Sequence, residues 1–154
     1  MKNYYLLLLV LLVSYAGQSQ IVNIPDANFK NALINTLCVD TDNNGINDRD
    51  ADLNNDGEIQ VSEAEAVIAL DVWNRDINSL EGIQSFINLL NLSCGANNLT
   101  SLDLSQNLNL DDFYGSFNEL TNLIFSPNIM KIDCGRNQLT SLDISPYQEL
   151  RFLS

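Results

Sequence analysis

From residue 67 onward, apolar and polar positions alternate in short bursts that recur along the chain. LSCGANNLTSLDLS at 92–105 and IDCGRNQLTSLDIS at 132–145 match at a spacing of 40, with FYGSFNELTNLIFS at 113–126 as a weaker copy between them. LDVWNRDINSLEGI at 70–83 is weaker again, so the copies start 22, 21 and 19 residues apart. Each burst predicts one short strand, because successive strand side chains point to opposite faces. A unit this short cannot bury its apolar face alone, so the copies are expected to stack. Ahead of them, PDANFKNALINTL places Phe29, Leu33, Ile34 and Leu37 at helical spacing, with Asp26 positioned to cap the first turn. We expect a helix of about three turns there, covering the first core face of the stack.

The repeated unit matches L-x-x-L-x-L-x-x-N/C-x-L, whose period of about 20 to 29 residues is that of leucine-rich repeats. Leu89, Leu92, Cys94, Asn97 and Leu99 fill it, and Ile129, Ile132, Cys134, Asn137 and Leu139 fill it again. Leu110, Phe113, Gly115, Asn118 and Leu120 fill it with a glycine at one apolar place. Arg75 stands at the asparagine place of the first unit, as in an atypical terminal repeat. Asn97, Asn118 and Asn137 are expected to turn the chain after each strand and to bond the backbone groups that the turn leaves open. Cys94 and Cys134 fall on an inward column two repeats apart, roughly 10 Å and beyond disulfide reach, so they read as small core hydrophobes. Cys38 completes an odd count of three cysteines and also reads as buried.

Between helix and repeats lies a segment with no apolar period, which holds 9 of the 20 carboxylates between Asp40 and Glu65 and one base, Arg49. DLNNDGEIQVSE at 52–63 has Asp, Asn, Asp, Gly and Glu at the first, third, fifth, sixth and twelfth places of an EF-hand loop. Calcium takes about six to eight oxygens, so a loop must turn back on itself and offer them at alternate positions. Asp52, Asn54, Asp56, the carbonyl of Glu58, Gln60 and Glu63 are the expected Ca2+ ligands, with Gly57 permitting the turn. DTDNNGINDRDA at 40–51 is a poorer copy: Asp40, Asp42, Asn44 and Asp48 are in place, but Ala51 cannot close a shell. It reads either as a second calcium turn or as a solvated acidic loop. Ser62 and Glu65 have capping-box spacing ahead of a short helical turn leading into the repeats.

The first 20 residues, MKNYYLLLLVLLVSYAGQSQ, carry one lysine, an apolar run of 10 and then small residues. This is the pattern of a secretory signal peptide over 1–19, cleaved after Ala16 or Ser19; the run is too short to span a bilayer. Export places the chain outside the cell, secreted or at its surface. Removing Lys2 leaves 6 basic residues against 20 acidic ones, which argues against nucleic acid and anionic membranes as partners.

Outward strand positions supply the candidate ligand face. One column holds Asp71, Ser93, Tyr114 and Asp133, the next Trp73, Gly95, Ser116 and Gly135, and a third Asn74, Ala96, Phe117 and Arg136. Trp73, Tyr114, Phe117 and Arg136 are types enriched at binding hot spots, which points to a protein or glycan ligand. The chain contains no histidine, which removes the usual general base. Carboxylate pairs such as Asp111 and Asp112, or Asp71 and Asp133, are the sole basis for a glycoside-cleaving alternative. Adjacent carboxylates on a strand diverge, so we expect no enzyme.

The order of signal peptide, IPDANFKNALI helix, DTDNNGINDRDADLNNDGEIQVSEAEAV and LxCxxNxLTSLDLS repeats resembles secreted bacterial leucine-rich repeat proteins with an EF-hand-like segment. The resemblance implies a solenoid for interaction at the cell exterior, commonly carrying a C-terminal sorting or anchoring domain. Here Leu150 and Leu153 begin another repeat, which reads as a fragment or as an uncovered last core face. The expected architecture is an α/β leucine-rich repeat solenoid with short parallel strands and an irregular convex side. A capping helix occupies 20–39, the acidic segment 40–66, and about four repeats 67–154. A calcium-stiffened spacer without a ligand of its own is the rival reading.

Overall fold

The computed structural model describes residues 20–154. The expected signal peptide lies outside them. Helix α1, Ala27–Asn35, starts at Asp26, whose Oδ1 accepts from the amides of Asn28 and Phe29 at 2.9 Å each. Phe29, Ala32 and Leu33 are buried and Ile34 packs against the same core. Leu37 lies past the helix end and is exposed, so its place in the helical spacing is coincidental.

The repeats give β2 (Ala69–Asp71), β3 (Asn91–Ser93), β5 (Asp112–Tyr114), β7 (Lys131–Asp133) and β8 (Phe152–Leu153), all parallel neighbours in one sheet. β1, Val39–Asp40, pairs antiparallel with β2 at the N-terminal edge. Register keeps Leu70, Leu92, Phe113 and Ile132 side by side, pointing inward, which places Cys94, Gly115 and Cys134 at successive places of the next inward column. Val72, Leu92, Cys94, Leu99, Leu110, Phe113 and Ile132 are fully buried, so one continuous core runs through the stack. At Gly115 the ring of Phe113 takes the space a side chain would need: an added Cβ would lie 2.2 Å from Phe113 Cζ. This explains why that repeat lacks the cysteine of its neighbours.

The convex side is not wholly irregular, contrary to the sequence reading. β4 (Ser101–Leu104) and β6 (Asn122–Phe125) form a second, two-stranded parallel sheet. Both alternate exposed and buried positions, with Leu102, Leu104, Leu123 and Phe125 turned inward. That period of two belongs to a half-buried strand. The first repeat differs, with a single 3-10 turn at Ile83–Ser85.

An asparagine ladder locks the turns as expected. Asn97 donates to the carbonyls of Val72 and Cys94 at 2.9 Å each, and its Oδ1 accepts from the amides of Arg75 and Ile77 at 3.0 Å each. Asn118 and Asn137 repeat the arrangement one and two units on, accepting from Leu99 and Leu120 at 3.0 Å each. The chain passes through left-handed backbone just before each of them, at Ala96, Phe117 and Arg136, with φ of 53°, 61° and 53°.

Candidate functional site

Three features converge at the N-terminal end of the sheet: two acidic loops, a cleft beside the first loop, and an aromatic stripe. The loops share one backbone design. In the second, Asp52 Oδ2 accepts from Gly57 N at 2.8 Å and Oδ1 from Asp56 N at 3.2 Å, while Asp56 Oδ1 accepts from Glu58 N at 2.9 Å. In the first, Asp40 accepts from Gly45 N at 2.6 Å and Asn44 N at 3.2 Å, and Asn44 Oδ1 from Ile46 N at 2.9 Å. The fourth places, Asn43 and Asn55, are left-handed at φ 58° and 57°, and the sixth, Gly45 and Gly57, at 87° and 83°. Loops 40–51 and 52–63 are thus copies in conformation, although their sequences differ in quality.

They differ at the eighth and twelfth places. Ile59 is buried in the core, whereas Asn47 turns to the sheet and donates to Asp71 Oδ2 at 3.3 Å. Glu63 is buried and folds back over its own loop, with Oε1 accepting from Leu53 N at 2.8 Å and Oε2 from Gln60 N at 2.9 Å. This Glu63 contact starts helix α2, Val61–Glu65, at Gln60. The expected box of Ser62 and Glu65 is therefore corrected to Gln60 and Glu63, two residues earlier. Ala51, lacking a carboxylate, docks its amide on the Leu33 carbonyl at 2.8 Å.

Side-chain oxygens gather in each loop. Among the described residues, Asp40, Asp42 and Asp48 form a group whose carboxylate oxygens lie within 4.8 Å of one another. In the second loop, Asn54, Asp56 and Gln60 bond to one another, Gln60 Nε2 reaching Asp56 Oδ2 at 3.0 Å and Asn54 Nδ2 reaching Gln60 Oε1 at 2.8 Å. The Glu58 side chain points away and pairs with Lys30 at 2.7 Å, which leaves its backbone carbonyl as the loop's contribution. The Glu58 amide and the Gln60 side chain hold the Asp56 carboxyl below its ordinary range. Burial opposes ionisation of Asp40, and the amides of Gly45, Asn44 and Asn43 outweigh it. Both groups are built to remain anionic.

The stripe brings together three of the four predicted ligand residues. Trp73 and Phe117 meet edge to face at 6.2 Å between centroids, and the Arg136 guanidinium lies 5.1 Å from the Phe117 ring. They are not on strand positions, as the alternation implied, but on the turns just past the strand ends. Trp73 lies flat on Gly95, where an added Cβ would sit 2.0 Å from its ring. Trp73 is 41% and Phe117 51% exposed, so both offer apolar surface to a partner. Tyr114 is separate, on the strand face, where Lys131 Nζ sits 4.5 Å from its ring centroid and donates to its hydroxyl at 2.8 Å. Sequence reasoning missed Lys131 and Phe152, which the same ammonium approaches at 5.3 Å. Their spacing of about one repeat was the available signal.

The carboxylates of the glycosidase alternative serve the backbone and one another's neighbours. Asp71 accepts from Trp73 N at 3.0 Å, and Asp133 binds the Ser116 hydroxyl, which keeps its carboxyl below the ordinary range. Cys38 and Cys94 are buried free thiols; burial pushes Cys38 up to about 12 and Cys94 further, so neither is a nucleophile.

No protein-family model and no curated protein matches the chain. Among solved structures, the functional domain of InlJ from Listeria monocytogenes, described as including a cysteine ladder, is 30% identical with a TM-score of 0.65. The internalin InlF from the same species is 19% identical with a TM-score of 0.55. Each match covers 89% of this chain, which spans only 28% of the first structure and 45% of the second. The chain is a solenoid similar in fold to the leucine-rich repeat internalins. Among the described residues, no helix is long and apolar enough to cross a membrane.

Proposed function

We propose that the chain is the protein-binding part of a calcium-stabilised leucine-rich repeat protein that works at the cell exterior. The observation that carries protein binding is the exposed Trp73, Phe117 and Arg136 stripe, held on left-handed turns by the asparagine ladder. Aromatic and arginine side chains fixed in advance lose little entropy on docking. The likeness to internalins supports the same reading. We read Cys94 and Cys134 as this chain's counterpart of the cysteine ladder described for InlJ, interrupted at Gly115.

Calcium has a structural part in this reading. The twin loops would each hold one ion, through Asp40, Asp42, Asn44 and Asp48 in the first and Asp52, Asn54, Asp56, Glu58, Gln60 and Glu63 in the second. Both lie between α1, which we read as the cap of the solenoid, and the repeats, so an ion bound only to the folded chain stabilises that junction by mass action. Signal-peptide export supplies the compartment, where millimolar calcium satisfies even weak loops.

Screening the purified chain against arrayed extracellular proteins and glycans tests the reading. We expect a protein ligand whose binding falls roughly tenfold or more in the Trp73→Ala, Phe117→Ala double variant. Glycan ligands alone, or a protein ligand indifferent to that variant, would contradict it. A spacer without ligand would show neither.

A further inference from the structure

A cleft of about 480 Å³ lies between the first acidic loop and the exposed face of β2, β3 and β5. Its walls include Asp40, Asn47, Asp71, Asn91, Asp112 and Tyr114. The loop is tied over the sheet at two points, Asn91 Nδ2 donating to Asn43 Oδ1 at 2.7 Å and Asn47 Nδ2 to Asp71 Oδ2 at 3.3 Å. The cleft is therefore a built feature that the loop creates, separate from the aromatic stripe on the turns.

Its lining contains three carboxylates and no basic residue. Asp112 accepts one long bond, from the Tyr114 hydroxyl at 3.4 Å, and a carboxylate accommodates about four. The same face already holds a cation: the Lys131 ammonium rests between the Tyr114 and Phe152 rings, drawn by Asp112 and Asp133. That covered Tyr114 ring offers no free face for a sugar to stack on. Asp71 and Asp112 stand on strands two apart, roughly 10 Å, which is too wide for one metal ion to bridge. Two separated acceptors beside amides suit two cationic side chains on one extended segment.

We infer that this cleft binds a basic stretch of polypeptide, with Asp71 and Asp112 each receiving a lysine or arginine side chain. The inference rests on the protein-binding reading and gives the partner a chemistry that the stripe does not specify.

Fluorescence anisotropy with labelled hexa-arginine, at an ionic strength of about 0.15 M, tests it. The probe should saturate, and an Asp71→Asn, Asp112→Asn variant should weaken it about tenfold, the size expected for losing one charge-assisted contact. Glu119→Gln, Glu149→Gln removes the same charge from exposed sites elsewhere and should leave the affinity within about twofold, as screening at that salt predicts. Trp73→Ala, Phe117→Ala should also leave it intact, so a failed stripe and a failed cleft are told apart. Equal losses in all three variants, or no saturable binding by the parent chain, would overturn the inference.

Discussion

Asn97 and Asn118 occupy the same place in successive repeats, yet they hold different numbers of otherwise unpaired groups. Cys94 O and Gly115 O, which Asn118 binds, also accept from Asn97 and Asn137, so Asn118→Ala leaves chiefly the Leu99 amide without a partner. That should cost about 1–3 kcal/mol in urea denaturation. Asn97→Ala strips the side-chain acceptor from both Arg75 and Ile77 and should cost more. At Gly95, an added methyl would meet the Trp73 ring and, at 2.7 Å, the Ser116 carbonyl. Gly95→Ala should expel Trp73 into solvent, seen as a red-shifted emission from the sole tryptophan, with about 1–3 kcal/mol of stability lost. The ladder was legible in the sequence because its asparagines recur at one place. The Trp73–Gly95 contact was not, because it joins residues of different repeats that no local pattern links.

Helix α1 and the loops show how elements are joined. Asp26 Oδ1 caps the helix while Oδ2 accepts from Asn78 N at 2.9 Å and Ser79 N at 3.1 Å, in the turn of the first repeat. Burial raises its pKa, the four amides lower it further than that, and the folded value lies below the ordinary one. The stabilisation is thus complete above the unfolded pKa of about 3.9 and is lost as pH falls through the folded value. Stability of the parent chain should decline below about pH 4 with a component absent from Asp26→Asn, measured by urea midpoints across that range. The sequence disclosed the cap and hid the anchor to residues 78–79, which depends on how the helix sits on the stack. The acidic loops were legible for the opposite reason: all their oxygens come from one contiguous stretch. The helix after them was misplaced because Ser62–Glu65 and Gln60–Glu63 have the same spacing, and only the fold-back of Glu63 onto Leu53 and Asn54 selects between them.

The whole molecule is a stack in which each layer is one repeat of 19 to 22 residues, with the loops and the helix at its N-terminal end. Stability in such a stack is close to a sum over neighbouring layers, so whatever orders the end layer is felt as a shift of the entire curve. The account's central claim is that calcium does this ordering, and calorimetric titration of the chain with calcium tests it most directly. We predict saturable uptake of two ions, one lost in Asp40→Ala and one in Asp52→Ala, with a melting temperature higher in calcium than in chelator. No heat of binding at millimolar calcium, together with identical melting in both conditions, would contradict it.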